Sequence, residues 1–296
     1  MTADSLKDTV HYASLLDTAR LIQSKELSPV DLTNWMLDRI AAVDGRLRSY
    51  ATVTAERALA AAQDAEQEIA RGRCRGPLHG MPIAVKDLCF TRGIRTMGGT
   101  AVLRDFVPTQ DGTVVARLER AGAVLLGKLN LTEGAMAGYH RDFAVPVNPW
   151  NADYWPGGSS SGSGVATAAG LCFASIGTDT GGSIRFPALA NGTVGLKPTY
   201  GRVSRHGVLA LAESLDHVGT MARRVADAAV TLQAIAGWDE HDSTALREPV
   251  PDMLAALRAG VHGLRLGIDR RFCADGTDPQ LLAAIEAALA TWSRLG

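Results

Sequence analysis

Apolar residues recur at helical spacing through the first quarter of the chain. Over residues 13–24, Leu15, Leu16, Ala19 and Ile22 fall on one face of an amphipathic helix. Ser28-Pro29 marks a second start, with a hydroxyl to cap, proline at the first helical position and Asp31 in the first turn. Leu32, Trp35, Met36 and Ile40 form its apolar face, and residues 53–71, rich in Ala, Glu, Gln and Arg, predict a third helix. The pattern then changes. Leu78 to Asp87 reads as a turn and a short apolar strand ending in Lys86; residues 113–121 predict a helix, and Ala123 to Lys128 a second strand. Strand, helix and strand in that order suggest a β-α-β unit and parallel pairing. Leu171–Ile176 predicts a buried strand, Leu264–Ile268 another, and Pro279–Arg294 a helix.

Composition narrows the class. Of 296 residues, 46% are apolar but only 5% aromatic, and 31 are glycine, which suits a close-packed α/β enzyme better than an all-β sandwich. The net charge is −1, with no block of either sign, so nothing points to nucleic acid or an anionic membrane. There is no signal-peptide pattern and no apolar run long enough to span a bilayer. Cys74, Cys89, Cys172 and Cys273 lack zinc or CxxC spacing and read as reduced and structural. A cytoplasmic enzyme is the expectation.

The candidate chemistry lies in two glycine-serine loops, Gly157–Gly164 and Gly177–Ser183, flanking the Leu171–Ile176 strand. Such composition also describes flexible linkers, but these loops abut strongly apolar segments. No lysine follows the glycines as a phosphate loop requires. Gly158-Ser-Ser160-Ser-Gly162 fits the G-x-S-x-G elbow, yet Asn151 to Pro156 precedes it where a strand is needed. Serines in glycine-rich loops can supply a nucleophile and N–H donors for an oxyanion. Lys86, if buried, would lose its charge by desolvation and act as a base.

Together these segments resemble the amidase signature family. The matching residues are Gly80-Met-Pro-Ile-Ala-Val-Lys86-Asp87, Asn148-Pro-Trp150, Gly157-Gly-Ser159-Ser160, Gly177-Thr-Asp-Thr-Gly-Gly-Ser183-Ile-Arg185, Gly195-Leu-Lys-Pro198, and Gly201-Arg202-Val203-Ser204. The resemblance implies a mixed α/β sheet wrapped by helices and a Ser-cisSer-Lys triad: Ser183 as acyl-forming nucleophile, Ser159 as bridge, Lys86 as base. It further implies an oxyanion hole from the N–H groups of Thr180, Gly181, Gly182 and Ser183, with Ser160, Asp179 and Arg185 in support. No metal or cofactor is implied. The partner implied is a small amide substrate, not nucleic acid or membrane, and a homodimer is compatible. A Ser-His-Asp reading through His206, or through His217 beside Asp216, is disfavoured.

Within the family the reading is a free-standing amidase, with three alternatives: a glutamine-hydrolysing amidotransferase subunit, an allophanate-hydrolase-like enzyme, or a non-catalytic truncated fragment. Phe186 stands where the amidotransferase subunit carries Gln, and Thr220 where Pro is more usual. Members usually continue beyond this C-terminus, so the expectation is one domain with a helical region 1–75, a catalytic core 76–236, and an incomplete region 237–296.

Overall fold

A computed structural model describes residues 7–136 and 138–296. They divide into two compact units, one ending at Pro251 and the other running from Asp252 to Gly296.

In the larger unit, helix α1 (Leu15–Gln23) is capped by Ser14 and buries Leu15, Thr18, Ala19 and Ile22. Helix α2 (Pro29–Leu47) starts at Ser28, whose side chain accepts from the N–H groups of Val30 and Asp31. A short strand, β1 (Tyr50–Val53), precedes helix α3 (Ala55–Ala70). Sequence periodicity misses β1, because four residues at a helix margin carry too little pattern to compete with an Ala-rich run. Strand β2 (Pro82–Lys86), helix α4 (Thr113–Arg120) and strand β3 (Val124–Leu129) form the expected β-α-β unit, with β2 and β3 parallel and Ile83 opposite Leu125.

Helix α5 (Ser161–Ala168) follows the first glycine-serine loop and takes in its second half. Glycine is required at its second position: a Cβ on Gly162 would lie 2.4 Å from the Ser49 carbonyl oxygen and 2.6 Å from that of Asn130. Strand β4 (Ala174–Asp179) comes next, then helix α6 (Arg185–Asn191), strands β5 (Val194–Leu196) and β6 (His217–Ala222), and helix α7 (Val225–Ile235). β4 therefore lies later than the Leu171–Ile176 expectation. Gly177, Thr178 and Asp179 pair with Gly219, Val218 and His217 and belong to the strand rather than to a loop.

Among the described residues the strands form one six-stranded sheet in the order β1-β3-β2-β4-β6-β5. The central β3-β2-β4 trio is parallel, and β1, β6 and β5 run antiparallel to their neighbours. Every residue of the three parallel strands is buried, as central strands covered on both faces require. Two of those buried residues are lysines, Lys86 and Lys128.

The smaller unit contains helices α8 (Met253–Arg258), α9 (Arg270–Ala274) and α10 (Pro279–Arg294). The helix expected at its end is present, with Asp278 as its cap. The strand expected over 264–268 is not formed. An extended segment needs a partner for its N–H and C=O groups, and no described strand pairs with this one. No described helix is long and apolar enough to cross a membrane.

Candidate active site

Parallel pairing of β2 with β4 (Val85 opposite Ile176) brings Lys86, the last residue of β2, beside the C-terminal half of β4. The Lys86 side chain has no exposed surface. Its Nζ lies 2.8 Å from Ser159 Oγ and 2.8 Å from Thr178 Oγ1. Both partners are neutral hydroxyls, and no carboxylate among the described residues lies within ion-pair distance. Burial lowers the Lys86 pKa to about 7, while the negative charges of Asp179 and Asp216 oppose the drop. An amine in that state is substantially neutral at physiological pH and has a lone pair to offer.

Ser159 is almost fully buried, and the Gly158–Ser159 peptide bond is cis. Ser160 ties the two glycine-serine segments together. Its N–H donates to the Ser183 carbonyl at 3.2 Å, its Oγ donates to the Thr178 carbonyl at 3.1 Å, and that Oγ accepts from the Thr178 N–H at 3.3 Å. Ser159 and Ser183, far apart in sequence, are thus held on neighbouring backbone. Ser163 bonds the Ile176 carbonyl and serves the packing of α5 on β4.

Asp179 organises the turn that carries Ser183. Its carboxylate accepts from the N–H groups of Gly182 (2.8 Å), Ile184 (3.1 Å) and Arg185 (3.3 Å), and from the Arg185 guanidinium at 2.9 and 3.0 Å. Burial pushes the Asp179 carboxyl up, but the Arg185 and backbone hydrogen bonds outweigh it and hold its pKa below the usual value. The turn is open on its other side. Ser183 is half-buried, Gly181 is exposed, and the N–H groups of Thr180, Gly181 and Ser183 donate to no described residue. Gly182 corrects the sequence reading: its N–H is committed to Asp179 and is not an open donor. Glycine is needed there for a different reason, since φ is +136° and a Cβ would fall 2.3 Å from the Phe186 ring.

Two residues at the site escape sequence reasoning. Thr178 lies in a segment whose glycines suggest a loop; a strand carried through to Asp179 sets it beside Lys86. Asp216 lies in the family-like segment Ala212-Glu-Ser-Leu-Asp216 and beside His217, but the sequence assigns it no role; it accepts from the Thr180 hydroxyl at 2.6 Å. His217 Nδ1 contacts the Asp179 and Leu215 carbonyls, and His206 Nδ1 the Thr113 hydroxyl, so neither histidine is bonded to a candidate serine. A cavity of about 250 Å³ adjoins the site; Thr178, Thr180, Asp216, His217, Arg205 and Leu209 are among its walls. On another side the rings of Trp155 and Phe186, both exposed, lie 6.1 Å apart.

This arrangement of sheet and helices is a fold shared with amide-hydrolysing enzymes. The peptide amidase of Stenotrophomonas maltophilia superimposes with a TM-score of 0.88 at 40% identity, covering 96% of this chain and 60% of that one. Residues 31–296 match the family model described as Amidase, and the chain belongs to that family. It is 54% identical over 263 residues to the Mycobacterium tuberculosis protein named "Putative amidase AmiD", covering 89% of this chain and 55% of the relative. It is 50% identical over 277 residues to a glutamyl-tRNA(Gln) amidotransferase subunit from a Geobacter species, covering 93% of this chain and 57% of the relative. The chain thus spans little more than half the length of these relatives.

Proposed function

We propose that this chain carries the catalytic centre of an amidase that hydrolyses a carboxamide C–N bond through an acyl-enzyme on Ser183. The observation that carries this reading is the buried, charge-depleted Lys86 amine 2.8 Å from Ser159 Oγ. With Lys86 neutral, the Ser159 O–H points at the Nζ lone pair and an Nζ–H at Thr178 Oγ1. As Ser183 Oγ attacks the amide carbon, its proton passes to Ser159 Oγ while the Ser159 proton passes to Lys86. A weak nucleophile is thereby activated without ever being a free alkoxide.

The tetrahedral oxyanion is met by the open N–H groups of Thr180, Gly181 and Ser183. Removing one such donor costs a factor of about 10²–10³ in turnover. The proton on Lys86 returns through Ser159 to the leaving nitrogen, the C–N bond breaks, and water hydrolyses the ester by the same route in reverse. Asp179 and Arg185 hold the turn, and Ser160 holds Ser183 to Ser159.

The 50% identity to an amidotransferase subunit supports a second reading, glutamine hydrolysis with ammonia passed to a partner. Strict glutamine preference and co-purification with a partner protein would favour it. Reaction with a fluorophosphonate probe, mapped by peptide mass spectrometry, tests the shared chemistry. Labelling at Ser183 that is lost in Ser183→Ala and Lys86→Ala is expected; a folded chain that takes no label rejects it.

A further inference from the structure

The turn that carries Ser183 is held at both ends by carboxylates, and the two are not alike. Asp179 faces the Arg185 guanidinium, so its charge is balanced. Asp216, only 9% exposed, accepts from the Thr180 hydroxyl at 2.6 Å, the Leu211 N–H at 2.8 Å, and the Ala212 N–H at 3.0 and 3.1 Å. All of these donors are neutral, and no described cation lies within 4 Å of the Asp216 carboxylate. Its charge is solvated by the fold but not cancelled.

We propose that Asp216 is a positioning residue of this site, clamping Thr180 and the nucleophile turn to the 211–212 backbone while supplying negative charge that stabilises Lys86 once it is protonated. The inference rests on the amidase reading above. Two parts of its geometry do separate work. The hydroxyl bond fixes the side chain of Thr180, a residue whose own N–H donates to no described group. The uncancelled charge acts across the site on the ammonium formed when Lys86 takes the Ser159 proton.

The charged and titratable groups around this pair are few. Cys89, Asp179 and Asp216, in that order of effect, act on Lys86; burial holds the Cys89 thiol up at about 11, so it is uncharged near neutrality, and Asp216 adds to the larger effect of Asp179. On β3, Lys128 is paired with Asp87. The cavity beside Asp216 is lined also by Arg205, His206, Glu213, His217, His241 and Asp242. Of these, Arg205 is directed to Asp242 at 3.6 Å.

The test is the rate of Ser183 labelling by a fluorophosphonate as a function of pH, which needs no identified substrate. Asp216→Asn keeps the acceptor oxygen and removes the charge. Its acid-limb midpoint should move down by about half a pH unit or more relative to wild type, and Asp216→Glu should restore it. Thr180→Val breaks the clamp but leaves the charge, so it should lower the plateau rate about tenfold without moving the midpoint. A folded Asp216→Asn protein with the wild-type midpoint would overturn the electrostatic role, and a folded Thr180→Val protein with the wild-type plateau would overturn the clamp. If Asp216→Asn loses cooperative melting, Thr180→Val decides the clamp, and the labelling midpoint of a folded Asp216→Ser protein, which also lacks the charge, decides the electrostatic role. A wild-type chain unlabelled at Ser183 is a different result: it removes the amidase reading, and this inference with it.

Discussion

Lys86 ends β2, and Lys128 stands on β3 opposite Val85; both side chains are fully withdrawn from water. The surroundings of the two amines differ in one respect. Lys128 Nζ lies 3.0 Å from Asp87 Oδ1 and donates to Thr96 Oγ1 at 2.6 Å, and the other Asp87 oxygen accepts the Met97 N–H at 2.9 Å. Among the described residues, Lys86 Nζ hydrogen-bonds only the hydroxyls of Ser159 and Thr178. Burial lowers the pKa of both, but at Lys128 the adjacent carboxylate works against it, whereas at Lys86 the opposing charges are not in contact. Both amines are desolvated, but only Lys128 has a carboxylate in contact; in the mechanism proposed above, that difference is what leaves Lys86 free to accept a proton.

The largest effect is expected from removing the proposed base. Lys86→Ala should slow Ser183 labelling by about 10²–10⁴-fold, and a rate within about threefold of wild type would show that Lys86 is not the proton acceptor. Next is the structural pair. Lys128→Ala leaves Asp87 buried without its partner, which costs about 3–5 kcal/mol, read by urea unfolding. The double variant Lys128→Met with Asp87→Asn should recover much of that loss; if the single variant unfolds like wild type, the pair is not structural.

The contrast should also emerge in pH dependence. Labelling should rise with pH about a midpoint near 7, the Lys86 value, because only the neutral amine accepts a proton. Stability follows the same group. Its folded pKa, about 7, lies below its unfolded value of 10.5, so between them the unfolded chain binds more protons and stability rises with pH. Below pH 7 the full penalty of burying the ammonium remains. Lys86→Met should therefore melt higher than wild type at neutral pH, with the gap closing as the pH approaches the unfolded value; equal melting temperatures at neutral pH would contradict a desolvated lysine. The smallest effect is expected from Thr178→Val, which deletes one of two partners of Lys86 for about 1 kcal/mol. That corresponds to a labelling rate about fivefold lower, and an unchanged rate would mean that Ser159 alone orients the amine.

Much of this molecule is legible without coordinates. Helical spacing and the Ser28-Pro29 cap locate the first helices because those signals are local: one face buried, one donor satisfied. The β-α-β unit around Lys86 follows from a change of period, and the glycine-serine segments stand out because so many glycines between apolar runs serve close backbone approach, as Gly162 shows. Other features depend on partners that sequence does not display. Residues 264–268 have a strand's pattern but pair with no described strand, while Gly177–Asp179 look like loop but are held in β4 by β6. The Gly182 N–H is adjacent in sequence to the open donors, yet Asp179 claims it. Lys86 and Lys128 each follow an apolar run in the sequence. Pattern shows that such segments are buried. Only the packing of β2, β3 and β4 places a carboxylate against one amine and two hydroxyls against the other, and the free energy of a buried charge depends on which of these it meets.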